Sequence, residues 1–62
     1  MTLQKPRLLS IAEVARYLGV SEKTIRRLLR DGLLRSYRVG RQLRISQEDL
    51  TAYLAQARFV RE

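Results

Sequence analysis

The sequence predicts a mainly α domain with a small β-hairpin, arranged as a winged helix-turn-helix: two short helices, a two-stranded wing and a C-terminal helix. Three observations predict it. The run Ala15-Arg16-Tyr17-Leu18-Gly19-Val20-Ser21 ends one amphipathic segment and, after a three-residue turn, starts another, so the two helices must cross steeply. The second segment carries Lys23, Arg27 and Arg30 opposite its apolar residues, as a helix entering the major groove of DNA would. Leu34 to Val39 and Gln42 to Ile45 then alternate apolar and polar residues about Gly40.

Each element has its own signals. Ser10-Ile11-Ala12-Glu13 reads as a capping box, in which the Ser hydroxyl and the Glu carboxylate satisfy each other's backbone donors. Ile11, Val14, Ala15 and Leu18 follow on one stripe, and Gly19 supplies the left-handed conformation that stops the helix. Val20 is expected to fill the gap between the helices. Ser21 caps the second helix, which runs from Glu22 to about Asp31 and is closed by Gly32. Its apolar residues Ile25, Leu28 and Leu29 fall within an arc of about 100°, and Thr24 and Arg26 flank the basic stripe.

The hairpin admits two registers. A two-residue Gly40-Arg41 turn sets Tyr37 opposite Arg44, whereas a three-residue Gly40-Arg41-Gln42 loop pairs Tyr37 with Ile45 and Val39 with Leu43. A hairpin this short is marginal alone, so its apolar face is expected to pack on the helices while its arginines project from one side. Ser46 caps a last helix with Glu48 and Asp49 in its first turn, where the helix dipole favours them. Its buried stripe is expected at Leu50, Tyr53, Leu54 and Ala57. The domain is read as residues 8–57, between a flexible N-terminal tail, 1–7, and a C-terminal tail, 58–62, in which Phe59 and Val60 are candidates for a protein contact.

Composition narrows the function. A chain of 62 residues supports one small core, with a net stability of roughly 3 to 5 kcal/mol, and leaves no room for a buried catalytic cavity. Without cysteine or histidine there is no disulfide, thiolate site or imidazole base, and Ser10, Ser21 and Ser46 all sit at helix starts with nothing to activate them. Neither enzyme activity, a cofactor, a metal nor a small-molecule ligand is expected. No apolar run approaches a membrane span, and the chain is expected in the cytoplasm, associated with the nucleoid.

The net charge of +7 is unevenly placed. Residues 22 to 44 hold eight Lys and Arg against Glu22 and Asp31, a local +6, whereas residues 45 to 62 come to −1. Eleven of the thirteen cations are Arg, which favours forked contacts to phosphate and guanine. The competing reading is a solvated basic face, but such faces usually mix signs, and this one has no acid between Lys23 and Arg30. RNA binding is disfavoured because three of the four aromatics, Tyr17, Tyr37, Tyr53 and Phe59, fall at core-like spacing rather than on a stacking platform.

From about Leu8 to Leu54 the chain resembles the excisionase family of winged helix-turn-helix domains, which are related to the DNA-binding heads of MerR-type regulators. The motifs that carry the likeness are Leu9-Ser10-Ile11-Ala12-Glu13-Val14-Ala15, Leu18-Gly19-Val20-Ser21, Thr24-Ile25-Arg26-Arg27-Leu28, Asp31-Gly32-Leu33-Leu34, Arg38-Val39-Gly40-Arg41, Arg44-Ile45 and Glu48-Asp49-Leu50. The resemblance implies that the Ser21-to-Arg30 helix reads the major groove and the Arg38-to-Arg44 wing reaches an adjacent backbone or minor groove. Arg26 stands where the family often has an aromatic residue. Members act as recombination directionality factors beside attachment sites or as small transcription regulators. The lack of anything outside the DNA-binding domain favours the first.

The residues and the likeness together give a set of expectations. The partner is double-stranded DNA, bound in several copies that touch each other or an integrase. Lys23, Arg27 and Arg30 contact bases; Ser21, Thr24 and Arg26 hold phosphates; Arg38, Arg41 and Arg44 act from the wing. With five or six phosphates neutralised, log K against log salt should have a slope near −5.

Overall fold

Three serines start the three helices, and all do so by the same chemistry. In the computed structural model, which describes residues 7–58, the order is β1 (Leu8–Leu9), α1 (Ile11–Leu18), α2 (Glu22–Arg30), β2 (Tyr37–Val39), β3 (Gln42–Ser46) and α3 (Gln47–Gln56). The hydroxyls of Ser10, Ser21 and Ser46 accept from the backbone N–H groups of Glu13, Thr24 and Asp49, each three residues on, at 3.0, 3.1 and 3.0 Å. At α1 the box is complete, since Ser10 N–H donates to Glu13 Oε1 at 2.9 Å. These bonds hold the Glu13 carboxyl below its ordinary pKa, the backbone donor of Ser10 being the largest cause.

Helices α1 and α2 also stop alike. Gly19 and Gly32 take φ of +74° and +77°, and the next residue closes a six-to-one bond: Val20 N–H to Ala15 O and Leu33 N–H to Leu28 O, both 3.0 Å. Val20 thus contributes a backbone bond rather than a plug. Its side chain is 41% exposed, contrary to the expectation that it fills the space between α1 and α2.

One residue or two from each major element make the core: Val14 and Ala15 of α1, Ile25 of α2, Leu34 from the following loop, Ile45 of β3 and Leu50 of α3. Leu9, Ile11, Leu18, Leu28, Leu29 and Tyr53 are half-buried around it. The final helix buries less than its pattern suggests, because Leu54 and Ala57 are both exposed. The segment Leu8–Leu9, too short to show alternation, pairs antiparallel with β3 as Leu8↔Ser46 and Leu9↔Ile45, giving a three-stranded sheet in the order β1-β3-β2.

The hairpin takes the two-residue turn, with Tyr37↔Arg44, Arg38↔Leu43 and Val39↔Gln42 as partners. Gly40 has φ +63° and no non-glycine residue is left-handed among the described residues, so only the first central position needs glycine, as in a type II′ turn. This register fixes the faces. Successive side chains alternate, so Leu43 and its partner Arg38 share the face of buried Ile45, while Tyr37, Val39, Gln42 and Arg44 lie on the other. Tyr37 and Val39 are therefore each 52% exposed, and the expectation that they pack on the helices is corrected by the register itself. The expectation that the wing arginines share one side is corrected too, since Arg38 and Arg44 lie on opposite faces with Arg41 in the turn between.

Candidate nucleic-acid interface

Helix α2 turns Ile25 into the core, with Leu28 and Leu29 half-buried beside it, and every other residue but Thr24 is exposed. The outward side follows from the 3.6-residue period. Ser21, Lys23, Thr24, Arg26, Arg27 and Arg30 line a single open depression on that side, so the six residues singled out on the recognition helix are brought together. Ser21 Oγ and Thr24 Oγ1 lie 3.0 Å apart, which fixes the hydroxyl groups at its N-terminal end.

A second cleft runs between the start of α1 and the wing. It is lined by Ser10, Ile11, Ala12, Leu43 and the cationic trio Arg26, Arg41 and Arg44, with Gln42 beside them. Arg26 belongs to both depressions and joins them into one surface. This arginine, expected beside the basic stripe as a phosphate contact, thus lies where helix and wing meet. Arg38, on the opposite face of the hairpin, lines neither depression.

The cations are not equivalent. Arg44 is half-buried and folded along its own strand, its Nη1 donating to Leu43 O at 2.8 Å and its Nη2 to Gln42 Oε1. Its guanidinium is held in place before any ligand arrives. Arg26 Nη2 stands 3.6 Å from Glu22 Oε1, and Arg30 Nε stands 3.4 Å from Asp31 Oδ1. Both pairs are well exposed, which makes them weak and exchangeable. No carboxylate lies within ion-pair distance of Lys23, Arg27, Arg41 or Arg44 among the described residues. Glu22 and Asp31, which enter the charge sum only as subtractions, are each placed beside one particular arginine. The i,i+4 spacing of Glu22 and Arg26 is a legible signal for one of them.

Two further features bear on the choice of ligand. Tyr17 is 71% exposed on α1, and Tyr37 is exposed on the wing, so the expected lack of exposed aromatics does not hold. They lie on separate elements rather than on one strand face, and neither lines the two cationic depressions. Among the described residues no acidic cluster is arranged to hold a metal, and no helix is long and apolar enough to cross a membrane. Phe59 and Val60 lie outside the described residues.

Residues 8–58 match the protein family described as helix-turn-helix domain. Over 50 residues, 79% of this chain, the sequence is 40% identical to an excisionase of Mycobacterium phage D29, of which the match covers 89%. Over 44 residues, 71% of the chain, it is 50% identical to the uncharacterized protein YvgK of Bacillus subtilis (strain 168), but there the match spans only 14% of the relative's length. No solved structure matches the chain at a comparable level. The resemblance read from the sequence motifs is borne out by the family match and the phage relative.

Proposed function

This chain belongs to the helix-turn-helix domain family, and from that premise we propose that it is a sequence-specific, double-stranded DNA-binding architectural protein that acts as an excisionase. It binds in several copies near attachment sites and assists an integrase. Residues 8–57 form the DNA-binding unit, working in the cytoplasm on the nucleoid. The observation that carries the reading is the joined surface of Lys23, Arg26, Arg27 and Arg30 with Arg41 and Arg44, a rod and a finger of positive charge linked through Arg26. The likeness to a phage excisionase over most of both chains supports the recombination role over transcriptional regulation by the same surface.

Helix α2 lies in the major groove, where Lys23 and Arg27, with no carboxylate partner among the described residues, address base edges from its outward face. Ser21, Thr24 and Arg26 hold the phosphates along the groove, and Arg30, expected on a base, is assigned to a phosphate at its far end instead, because it is paired with Asp31 at the helix end. Arg41 and the pre-set Arg44 reach the backbone from the wing, whereas Arg38, expected to act there too, stands on the hairpin's other face outside both depressions and is left out of the contact. A single domain of this size makes a small interface, so high occupancy comes from neighbouring copies on bent DNA.

Mobility shifts on a duplex enriched by the protein from a randomised pool test this reading. Stepwise shifted species and altered migration when the site is moved along a circularly permuted fragment are expected. A single saturating species without a bend refutes the multi-copy architectural role.

A further inference from the structure

Helix α1 carries a second surface that the DNA-binding reading leaves unused. Glu13, Arg16 and Tyr17 follow one another at i, i+3 and i+4, so they share its outward side while Val14 and Ala15 are buried. Arg7, just before β1, with Leu9 within it and Gln47 at the start of α3, completes an open depression around them. It shares no lining residue with either cationic depression. Around the helix Tyr17 stands about 140° from Ala12, which borders the cleft beside the wing. A duplex seated on α2 and the wing therefore leaves the Tyr17 surface open to a third body.

The chemistry of this depression differs from that of the DNA face. Tyr17, at 71%, is the most exposed large apolar side chain among the described residues, and half-buried Leu9 adds a second apolar wall. Glu13 is already engaged, its Oε1 accepting from Ser10 N–H at 2.9 Å. That backbone donor is the largest cause of its lowered pKa, and the nearby charges of Arg7 and Arg16 act in the same direction. Neither arginine stands within ion-pair distance of a carboxylate among the described residues, so both guanidinium groups are left to face an outside anion. A phosphate backbone suits the place poorly, because it would carry its charges past the ionised Glu13, whereas the DNA face has no acid between Lys23 and Arg30. Carboxylates on a peptide can be placed one by one to meet the arginines and avoid Glu13. Tyrosine and arginine are also the side chains that anchor protein interfaces.

We propose that the Tyr17 depression is a docking site for an acidic peptide segment of a partner protein, with an aromatic or long aliphatic side chain against Tyr17 and Leu9 and carboxylates on Arg7 and Arg16. The site rests on the DNA-binding reading above, since it is the place through which the duplex-bound chain holds the protein it assists.

The test uses the full chain saturated with unlabelled enriched duplex, so that its DNA face cannot trap an acidic probe. Fluorescence anisotropy follows labelled peptides in which Asp and Glu alternate with Leu and Phe, beside the same peptides with Ser for Leu and Phe or with Lys for Asp and Glu. The acidic apolar peptides should bind the duplex-loaded chain, less tightly as salt rises, and the two altered sets should not. Y17A and R16E should each weaken peptide binding at least about tenfold, as truncation of an interface anchor does, and leave duplex binding unchanged. R41A should do the reverse. Circular dichroism should show Y17A folded as the wild type, since the side chain it removes is exposed. Acidic apolar peptides that do not bind the loaded chain, that bind equally well without Leu and Phe, or that are indifferent to Y17A and R16E overturn the proposal while leaving DNA binding intact. A second labelled duplex captured through Tyr17 overturns it too. A wild-type chain that binds no duplex refutes the DNA-binding reading itself, and this inference falls with it.

Discussion

Arg41→Ala removes one guanidinium from the hairpin and leaves the strand pairing in place, because position 41 lies in the turn outside the ladder of Tyr37↔Arg44, Arg38↔Leu43 and Val39↔Gln42. Six cations line the two joined depressions: Lys23, Arg26, Arg27, Arg30, Arg41 and Arg44. With Lys23 and Arg27 on bases, four remain for phosphates. At about 0.9 per contact this puts the wild-type salt slope near −3.6, shallower than the value of about −5 expected from five or six neutralised phosphates. Removal of Arg41 should bring it to about −2.7. At about 0.1 M salt the counterion release of one contact is worth about 1.2 kcal/mol, so affinity should fall about eightfold on any duplex, cognate or random. Fluorescence anisotropy with a labelled duplex, repeated across salt concentrations, measures both quantities. A slope that does not move, or a loss confined to one sequence, refutes the placement of Arg41 against the backbone.

Other substitutions probe the remaining links. Arg27→Ala should relax base preference at one position by about 1 to 3 kcal/mol while changing the salt slope little; competition among single-base variants of the enriched duplex reads this directly. Ile25→Ala empties a fully buried position and should cost about 2 to 5 kcal/mol, on the scale of the whole stability of a chain this small, whereas Ile25→Val should stay folded. Urea denaturation followed by circular dichroism distinguishes them, and a stable alanine variant contradicts the thin-core account. Glu13 has a lowered folded pKa, so its contribution is fully present above the ordinary carboxylate value and is lost as pH falls through the lowered one. Thermal melts in that acid range should lose part of their pH dependence in Glu13→Gln.

The elements legible in the sequence are those whose signals are local. Ser10, Ser21 and Ser46 announce helix starts because capping is settled within four residues, and Gly19 and Gly32 announce ends because few other residues take a left-handed turn cheaply. The register of the hairpin was not legible. Apolar patterning favours the three-residue loop, which would gather Tyr37, Val39, Leu43 and Ile45 on one face, while turn chemistry favours the two-residue turn that splits them, and the choice decides whether Tyr37 is in or out. Leu8–Leu9 gave no warning as a strand, since two residues carry no period and the pairing with β3 is made across most of the chain. The basic face of α2 was legible from its spacing, and all its members are gathered as expected. Its internal balance was not, because a charge sum registers Asp31 and Glu22 only as subtractions, whereas their contacts decide which arginines they silence. Arg44 illustrates the same gap: its restraint by Gln42 depends on the fold of a single strand.

The division of labour within α2 has a practical consequence. Among the described residues only Ile25, with Leu28 and Leu29 partly in support, anchors this helix to the core, and the Ser21 and Gly32 that bracket it make no hydrogen bond to positions 23, 26, 27 or 30. The remaining letters are open to rewriting as a cassette. A library varied at positions 23, 26, 27 and 30 on a fixed frame would retarget the domain much as a type slug is changed in a press, the frame neither registering nor resisting the new text.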